Sequence, residues 1–212
     1  MRKKVRILVT AGPTREMIDP VRFISNLSSG EMGYAVAKEA HRRGYPTTLL
    51  TGPTALPAPR SVKMVSFTTV HDLDQKLQQL FPKHDCLMMT AAVGDYRVSQ
   101  VARRKIKRKD RLTLTLVRTP DLLKKIGKKK KKKIIVGFCL ETENLMAHAF
   151  KKLQNKQCDF MVACFLNKSK NPFGQNMLSV TVIDKKGKKF KTKSSSKTQI
   201  AKILLHFLER KF

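Results

Sequence analysis

Apolar positions open the chain as a block: Val5, Ile7, Leu8 and Val9 form a run with the length of a buried strand. Met32, Val36 and Ala40 then recur at helical spacing and stop near Gly44, which predicts a first helix. Thr47-Thr48-Leu49-Leu50 predicts a second strand, and the prolines of 51–59 bar regular structure behind it. A third strand is expected over 62–67, followed by a helix with Val70, Leu73, Leu77 and Leu80 on one face. Cys86 to Met89 reads as the next strand. Leu112, Leu114 and Leu116 alternate cleanly and read as another, and Thr119-Pro120-Asp121 as the start of a short helix. Ile134-Ile135-Val136-Gly137-Phe138 and 159–165 are further strands, with a helix between them that opens at Glu141-Thr142-Glu143 and uses Leu145, Ala149 and Leu153. Residues 178–183 and 188–192, around Asp184-Lys185-Lys186-Gly187, suggest a hairpin. Ile200, Ile203, Leu204, Phe207 and Leu208 mark a last amphipathic helix, and no internal repeat is visible.

Strands that alternate with helices predict an α/β fold of Rossmann-like type: a mostly parallel sheet with helices on both faces and a small C-terminal β-hairpin plus helix. Residues 1–212 are expected to form one domain, with basic loops at about 97–111 and 124–133. Ligands of such sheets gather beyond the carboxyl ends of the strands. Two rich connections sit there, 10–33 and Thr90-Ala91-Ala92-Val93-Gly94-Asp95-Tyr96, and should face one crevice.

Composition narrows the class. A hydrophobic content of 41% supports a core despite the formal charge of +30. No window approaches the roughly 18 apolar residues of a membrane span. A strand so close to the N-terminus leaves no room for a signal peptide, so a cytoplasmic protein is expected. The charge draws anions, whether nucleotides, phosphorylated small molecules or nucleic acid. The run 128–133, all lysine, is expected in a solvated loop that cannot pack. Cys86, Cys139, Cys158 and Cys164 lack zinc or redox spacing and read as reduced packing residues. The histidines at 41, 71, 84, 148 and 206 fall on expected helices or helix ends and read as surface residues.

Familiar signatures are missing: there is no Gly-x-x-x-x-Gly-Lys-Ser/Thr, no Gly-x-Gly-x-x-Gly after the first strand and no Gly-x-Ser-x-Gly. This argues against a P-loop nucleotidase, a dinucleotide-dependent reductase and a serine hydrolase. A helix opening at Ser28-Ser29-Gly30 would aim free N–H groups at a phosphate, although a serine N-cap alone accounts for the same pattern. Lys105 and Lys107 could neutralise charge on a phosphoryl group. Asp95, at a strand's carboxyl end, could hold a ribose hydroxyl or a metal-bound water or simply cap a helix or turn, and Asn26 could fix a turn.

Five motifs in order resemble those of the phosphopantothenoylcysteine synthetase (phosphopantothenate–cysteine ligase) family of coenzyme A biosynthesis. They are the opening 10–33 segment, Ala91-Ala92-Val93-Gly94-Asp95-Tyr96, Lys105-Ile106-Lys107-Arg108, Gly137-Phe138-Cys139-Leu140-Glu141-Thr142 and Lys152-Leu153-x-x-Lys156-x-x-Asp159. The resemblance covers nearly the whole chain. It implies that a carboxylate attacks the α-phosphate of CTP to give an acyl-cytidylate and pyrophosphate, after which the amine of cysteine displaces CMP. It assigns Asn26 to the intermediate and Lys105 to the phosphoryl centre. Asp95, Phe138, Lys152 and Lys156, with Pro120, Asp121, Leu122 and Leu123, would contact the nucleotide. Gly12, Thr14, Arg22, Ser28, Ser29, Gly30, Ala91 and Ala92 would serve phosphate or substrate.

Magnesium is expected with the triphosphate, with no protein ligands assigned, and CTP is favoured over ATP as co-substrate. A homodimer is expected, with a decarboxylase as a separate chain, since no flavin-dependent half is visible. The chain departs from the family pattern at Gly94, where alanine is usual, at Cys139-Leu140, where Ala-Ala is frequent, and at Arg108, where lysine is frequent. The 128–133 run has no counterpart. A basic nucleic-acid-binding α/β module is the alternative, weakened by the few aromatic residues among the basic runs.

Overall fold

A computed structural model describes residues 5–167, 173 and 177–212. The chain runs β1 (Ile7–Ala11), β2 (Arg15–Met17), β3 (Phe23–Ser25), α1 (Glu31–Arg42), β4 (Thr47–Thr51), β5 (Lys63–Ser66) and α2 (Val70–Leu80). A single 3-10 turn, Phe81–Lys83, precedes β6 (Cys86–Met89), β7 (Tyr96–Val98), β8 (Leu116–Arg118), α3 (Leu122–Gly127), β9 (Ile134–Glu141) and α4 (Leu145–Asn155). Then follow β10 (Phe160–Phe165), β11 (Met177–Leu178), β12 (Val180–Asp184), β13 (Lys189–Lys191), β14 (Ser195–Ser196) and α5 (Lys197–Glu209).

The main sheet has the order β13-β12-β10-β9-β6-β1-β4-β5. From β10 to β5 every pairing is parallel. Taken in chain order, these parallel strands lie 3-2-1-4-5-6, the doubly wound arrangement whose winding reverses between the first and fourth. Here that switch point lies between β1 and β6. Strand side chains alternate between two covered faces. Ile7, Val9, Met88 and Val136 face α1 and α5, while Leu8, Leu50, Leu87 and Ile135 face α2, α3 and α4. The expected Rossmann-like α/β fold is therefore present.

Several local expectations need correction. The 10–33 connection contains an antiparallel ribbon, β2 with β3, that the sequence pattern did not announce. Glu16 on that ribbon accepts the N–H of Val70 at 2.7 Å and so holds the ribbon to the start of α2. The Leu112, Leu114 and Leu116 alternation yields a strand only from Leu116, because β8 pairs with β7 alone and no sheet covers the leucines, which stay exposed. Glu141 ends a strand instead of opening a helix: β9 stays in register with β10 out to Phe165, and α4 begins after Asn144 at φ 44°. The α1 cap is Gly30 at φ 83° rather than a serine. The C-terminal hairpin exists, but β12 pairs antiparallel with β10 and so extends the main sheet, while Met177–Leu178 pairs with Ser195–Ser196.

His84 is buried, its ring nitrogens contacting the Leu80 carbonyl at 2.7 Å and the Thr48 hydroxyl at 3.0 Å. The 128–133 tract does pack, through Lys130 against Asp159. No helix among the described residues is long and apolar enough to cross a membrane.

Candidate active site

Two sequence-distant turns lock together at the switch point. Gly12 follows β1 at φ 75°, a left-handed conformation that glycine adopts without steric cost. Its carbonyl accepts the Ala92 N–H at 3.0 Å, and the Ala92 carbonyl accepts the Thr14 N–H at 3.1 Å. The buried Thr14 hydroxyl accepts the Gly94 N–H at 2.9 Å, and the Thr119 hydroxyl donates to the Gly94 carbonyl at 2.6 Å. Asn26 Nδ2 donates to the same Ala92 carbonyl at 3.0 Å. These bonds join the ends of β1 and β6 to the segment that leads into α3.

Glycines set how close α1 can come. A Cβ on Gly30 would sit 3.3 Å from Gly12 Cα, and one on Gly33 would strike Thr90 and Ala11. The start of α1 therefore rests directly on the strand ends, with its first-turn N–H groups and dipole at the crevice.

Above these turns lies a cavity of about 1010 Å³. Asn26, Ser28, Ser29 and Gly30 line it from the first connection, and Ala91, Ala92 and Asp95 from the second. Pro120 through Leu123 enter from the start of α3, Phe138 from β9, and Lys152 and Lys156 from α4. Asp121 caps α3 by accepting the Lys124 N–H at 3.0 Å. Gly12 and Thr14 lie beneath the lining and act through the hydrogen bonds above.

Its lysines are held in ion pairs. Lys152 Nζ lies 2.6 Å from Glu141, whose other oxygen is 3.3 Å from His148. Lys156 lies 3.4 Å from Asp121, and Lys197, at the start of α5, is paired with Glu31. Arg118 also lines the cavity and is exposed, without an ion pair among the described residues. Burial pushes the Cys139 thiol up to about 12, so it packs as a neutral side chain. Among the described residues, no group of three or more His, Cys, Asp or Glu side chains could hold a metal ion.

Two predicted residues stand elsewhere. Arg22 is not at the cavity: its guanidinium bonds Asp19 at 3.0 Å through Nε and the Ile106 carbonyl at 2.9 Å. Asp19, fully buried, also accepts the N–H groups of Val21, Arg22 and Ile106. The Arg22 guanidinium and these N–H donors hold its carboxyl well below the usual carboxylate range. Arg22 thus clamps the basic loop rather than a phosphate. Lys105, next to Ile106, is exposed and outside the cavity lining.

Sequence reasoning missed Glu141 as the carboxylate that pairs with Lys152, and Arg118 and Lys197 as cavity cations. Arg118 stands two residues before Pro120 and was within reach of the motif. Lys197 had no local signal, since only the packing of α5 on α1 brings it there.

A family model, that of the DNA/pantothenate metabolism flavoprotein C-terminal domain, matches residues 2–211. The chain belongs to this family. It is 38% identical over 197 residues to the coenzyme A biosynthesis bifunctional protein CoaBC of Bacillus subtilis (strain 168), covering 92% of this chain and 48% of that protein. The chain thus spans about half the length of the curated relatives it matches. The crystal structure of the C-terminal domain of a CoaBC protein superposes with a TM-score of 0.82 at 36% identity, over 97% of this chain and 94% of that one. The DNA/pantothenate metabolism flavoprotein of Streptococcus pneumoniae gives 0.85 at 25% identity, over 98% of this chain and 100% of that one.

Proposed function

We propose that this domain is a phosphopantothenate–cysteine ligase that acts through an acyl-cytidylate. The observation that carries this reading is the single cavity lined by Asn26, the Ser28-Ser29-Gly30 helix start, Asp95, Lys152 and Lys156. It is large enough for a nucleotide beside a second substrate. Kinship with proteins named for coenzyme A biosynthesis supports it.

In this reading the carboxylate of 4′-phosphopantothenate attacks the α-phosphorus of CTP. The bond to the bridging oxygen breaks and pyrophosphate leaves. The amine of cysteine then attacks the acyl carbon, loses a proton and expels CMP. Lys152 and Lys156 exchange their carboxylate partners for phosphate oxygens, as positive groups already in place at the cavity. The Asn26 carboxamide, fixed by Ala92, orients the acyl-nucleotidylate. Asp95, whose carboxylate has no partner among the described residues, is free for a ribose hydroxyl. Magnesium carried on the triphosphate would neutralise phosphate charge, and among the described residues no group of three or more His, Cys, Asp or Glu side chains would hold it.

Lys105 serves the phosphoryl centre only if its loop meets a cavity, and a homodimer in which the loop reaches the neighbouring copy provides this. Exposed Val21, Phe23, Tyr96, Leu112, Leu114 and Leu116 lie on or beside the adjoining β2–β3 and β7–β8 ribbons and would be covered in such a dimer. The deciding experiment incubates the protein with 4′-phosphopantothenate, cysteine, magnesium and each nucleoside triphosphate in turn. Pyrophosphate and amide are expected with CTP, and their absence with every nucleotide overturns the reading.

A further inference from the structure

The lysines that the cavity does not use converge on the other edge of the sheet. The cavity lies beyond the carboxyl ends of β1, β6 and β9, whereas residues 128–133 lead into the amino end of β9. The β12–β13 turn shares that amino-end edge, because Asp184 stands opposite Phe160 at the start of β10. Two clusters more than fifty residues apart in sequence therefore become neighbours.

Asp159 joins them. Its half-buried carboxylate holds Lys130 Nζ at 2.6 Å and Lys185 Nζ at 2.7 Å, and accepts the Ile135 N–H at 2.8 Å. The rest of the tract is fixed as well. Lys129 Nζ bonds Gln78 Oε1 at 2.6 Å, and Lys133 Nζ bonds the Pro82 carbonyl at 3.0 Å and lies 5.5 Å from the centre of the Phe81 ring. Gly127 lets α3 close against the Lys156 carbonyl, where a Cβ would not fit. The strap is thus pinned on its inner side. Outward it presents Lys128, Lys131 and Lys132, and the adjacent turn presents Lys186 and Lys188. All five are exposed and have no ion pair among the described residues.

Local carboxylates do not neutralise this array. Asp85 is paired with Arg6 at 2.9 Å, Asp159 is shared by two lysines, and Asp184, which accepts the backbone N–H groups of Lys186 and Lys188 at 2.9 Å, is one negative charge against the five outward lysines. A merely solubilising run needs no such anchors. Protein interfaces are poor in lysine and centred on aromatic or aliphatic anchors, and firm membrane attachment needs an apolar face beside the charge. Neither 128–133 nor 184–188 contains an apolar side chain, and beside the turn Ile183 is buried and Phe190 is a single exposed ring, not a face. Phosphate backbones need only spaced point charges.

We propose that this edge is a second functional surface that binds nucleic acid through its phosphate backbone, without base readout. It is independent of the ligase reading.

The test uses the full chain and fluorescence anisotropy of a labelled oligothymidylate over a salt series. Replacing Lys131, Lys132, Lys186 and Lys188 together by glutamine should weaken binding at least about tenfold and reduce the slope of log affinity against log salt by about 3, at roughly 0.7 per lost single-strand contact. Lys131→Gln with Lys132→Gln, and Lys186→Gln with Lys188→Gln, should each account for about half of that slope change. These doubles also keep the reading open should the quadruple variant lose its fold. A control carrying Arg103→Gln, Arg104→Gln, Lys109→Gln and Arg111→Gln removes equal charge from the 97–111 loop and should keep the wild-type slope. Equal losses in both quadruple variants overturn the proposal, as does absence of wild-type binding. It also falls if polyglutamate or phosphatidylserine vesicles bind as tightly as the oligonucleotide at the same salt.

Discussion

Asn26, Lys105 and His84 show how much one side chain's surroundings decide. Under the ligase reading, Lys105→Ala should nearly abolish amide formation while leaving the thermal unfolding midpoint in place, since the side chain is exposed. Turnover close to wild type would remove Lys105 from the chemistry. Asn26→Asp replaces a donor to the Ala92 carbonyl by a negative charge at the cavity wall. Pyrophosphate release should continue there while amide formation falls sharply, and equal loss of both steps would contradict the role given to Asn26.

His84 makes a prediction about stability instead. Burial holds its pKa below 6.5, against the opposing pull of the hydrogen bond to the Leu80 carbonyl. Arg6 and Lys133 add to the lowering, and Asp85 opposes it. A group with a depressed folded pKa binds fewer protons folded than unfolded, so its contribution is full above pH 6.5 and is lost as pH falls through the folded value. The unfolding midpoint should therefore hold above pH 6.5 and drop as pH falls below it. In His84→Asn that drop should be shallower. Neither the burial of His84 nor the exposure of Lys105 was legible locally, because both follow from what other elements lay over them.

Elements were legible where a residue pattern met a matching surface. The α2 pattern of Val70, Leu73 and Leu77 is buried as its period requires, and Thr69 caps it by accepting the Asp72 N–H at 3.1 Å. The leucine alternation at 112–116 has an equally clean period and fails, because no sheet lies beneath it. Period reports which side of an element is apolar, not whether anything covers that side.

Close approach is another element-scale property. At the end of α3, Gly127 meets α4 at the Lys156 carbonyl. Gly127→Ala should overpack this contact and cost about 1–3 kcal/mol in urea unfolding with an unchanged m value. An unaffected midpoint would show that the helix ends can part without penalty. Because Gly127 also begins the lysine strap, the same variant should weaken oligothymidylate binding if the strap's fixed geometry matters.

On the scale of the whole molecule, the two edges of one parallel sheet divide the charge between them. At the carboxyl edge, lysines are few and held by Glu141, Asp121 and Glu31 around a cavity. At the amino edge they are many, and the outward ones are unpaired among the described residues. The formal charge of +30 therefore does not describe the site. Raising salt should weaken nucleic-acid binding at the amino edge steeply, while nucleotide-dependent pyrophosphate release at the other edge should change far less, because partly buried pairs are screened less than exposed charges. Parallel salt curves for the two activities would contradict this separation.

The alternation of the parallel strands with their helices, the two-faced burial of β1, β4 and β6, and the placing of both rich connections at strand carboxyl ends were determined by the sequence. They rest on side-chain period, glycine and proline positions and the handedness of strand crossovers, which act over short stretches of chain. Tertiary structure alone decided that Arg22 clamps a loop, that Lys105 stands outside the cavity and that Glu141 faces Lys152. It also decided that Asp159 draws two distant lysine clusters into one surface. Ion pairs and close packing depend on which segments meet in space, and no local pattern encodes that meeting.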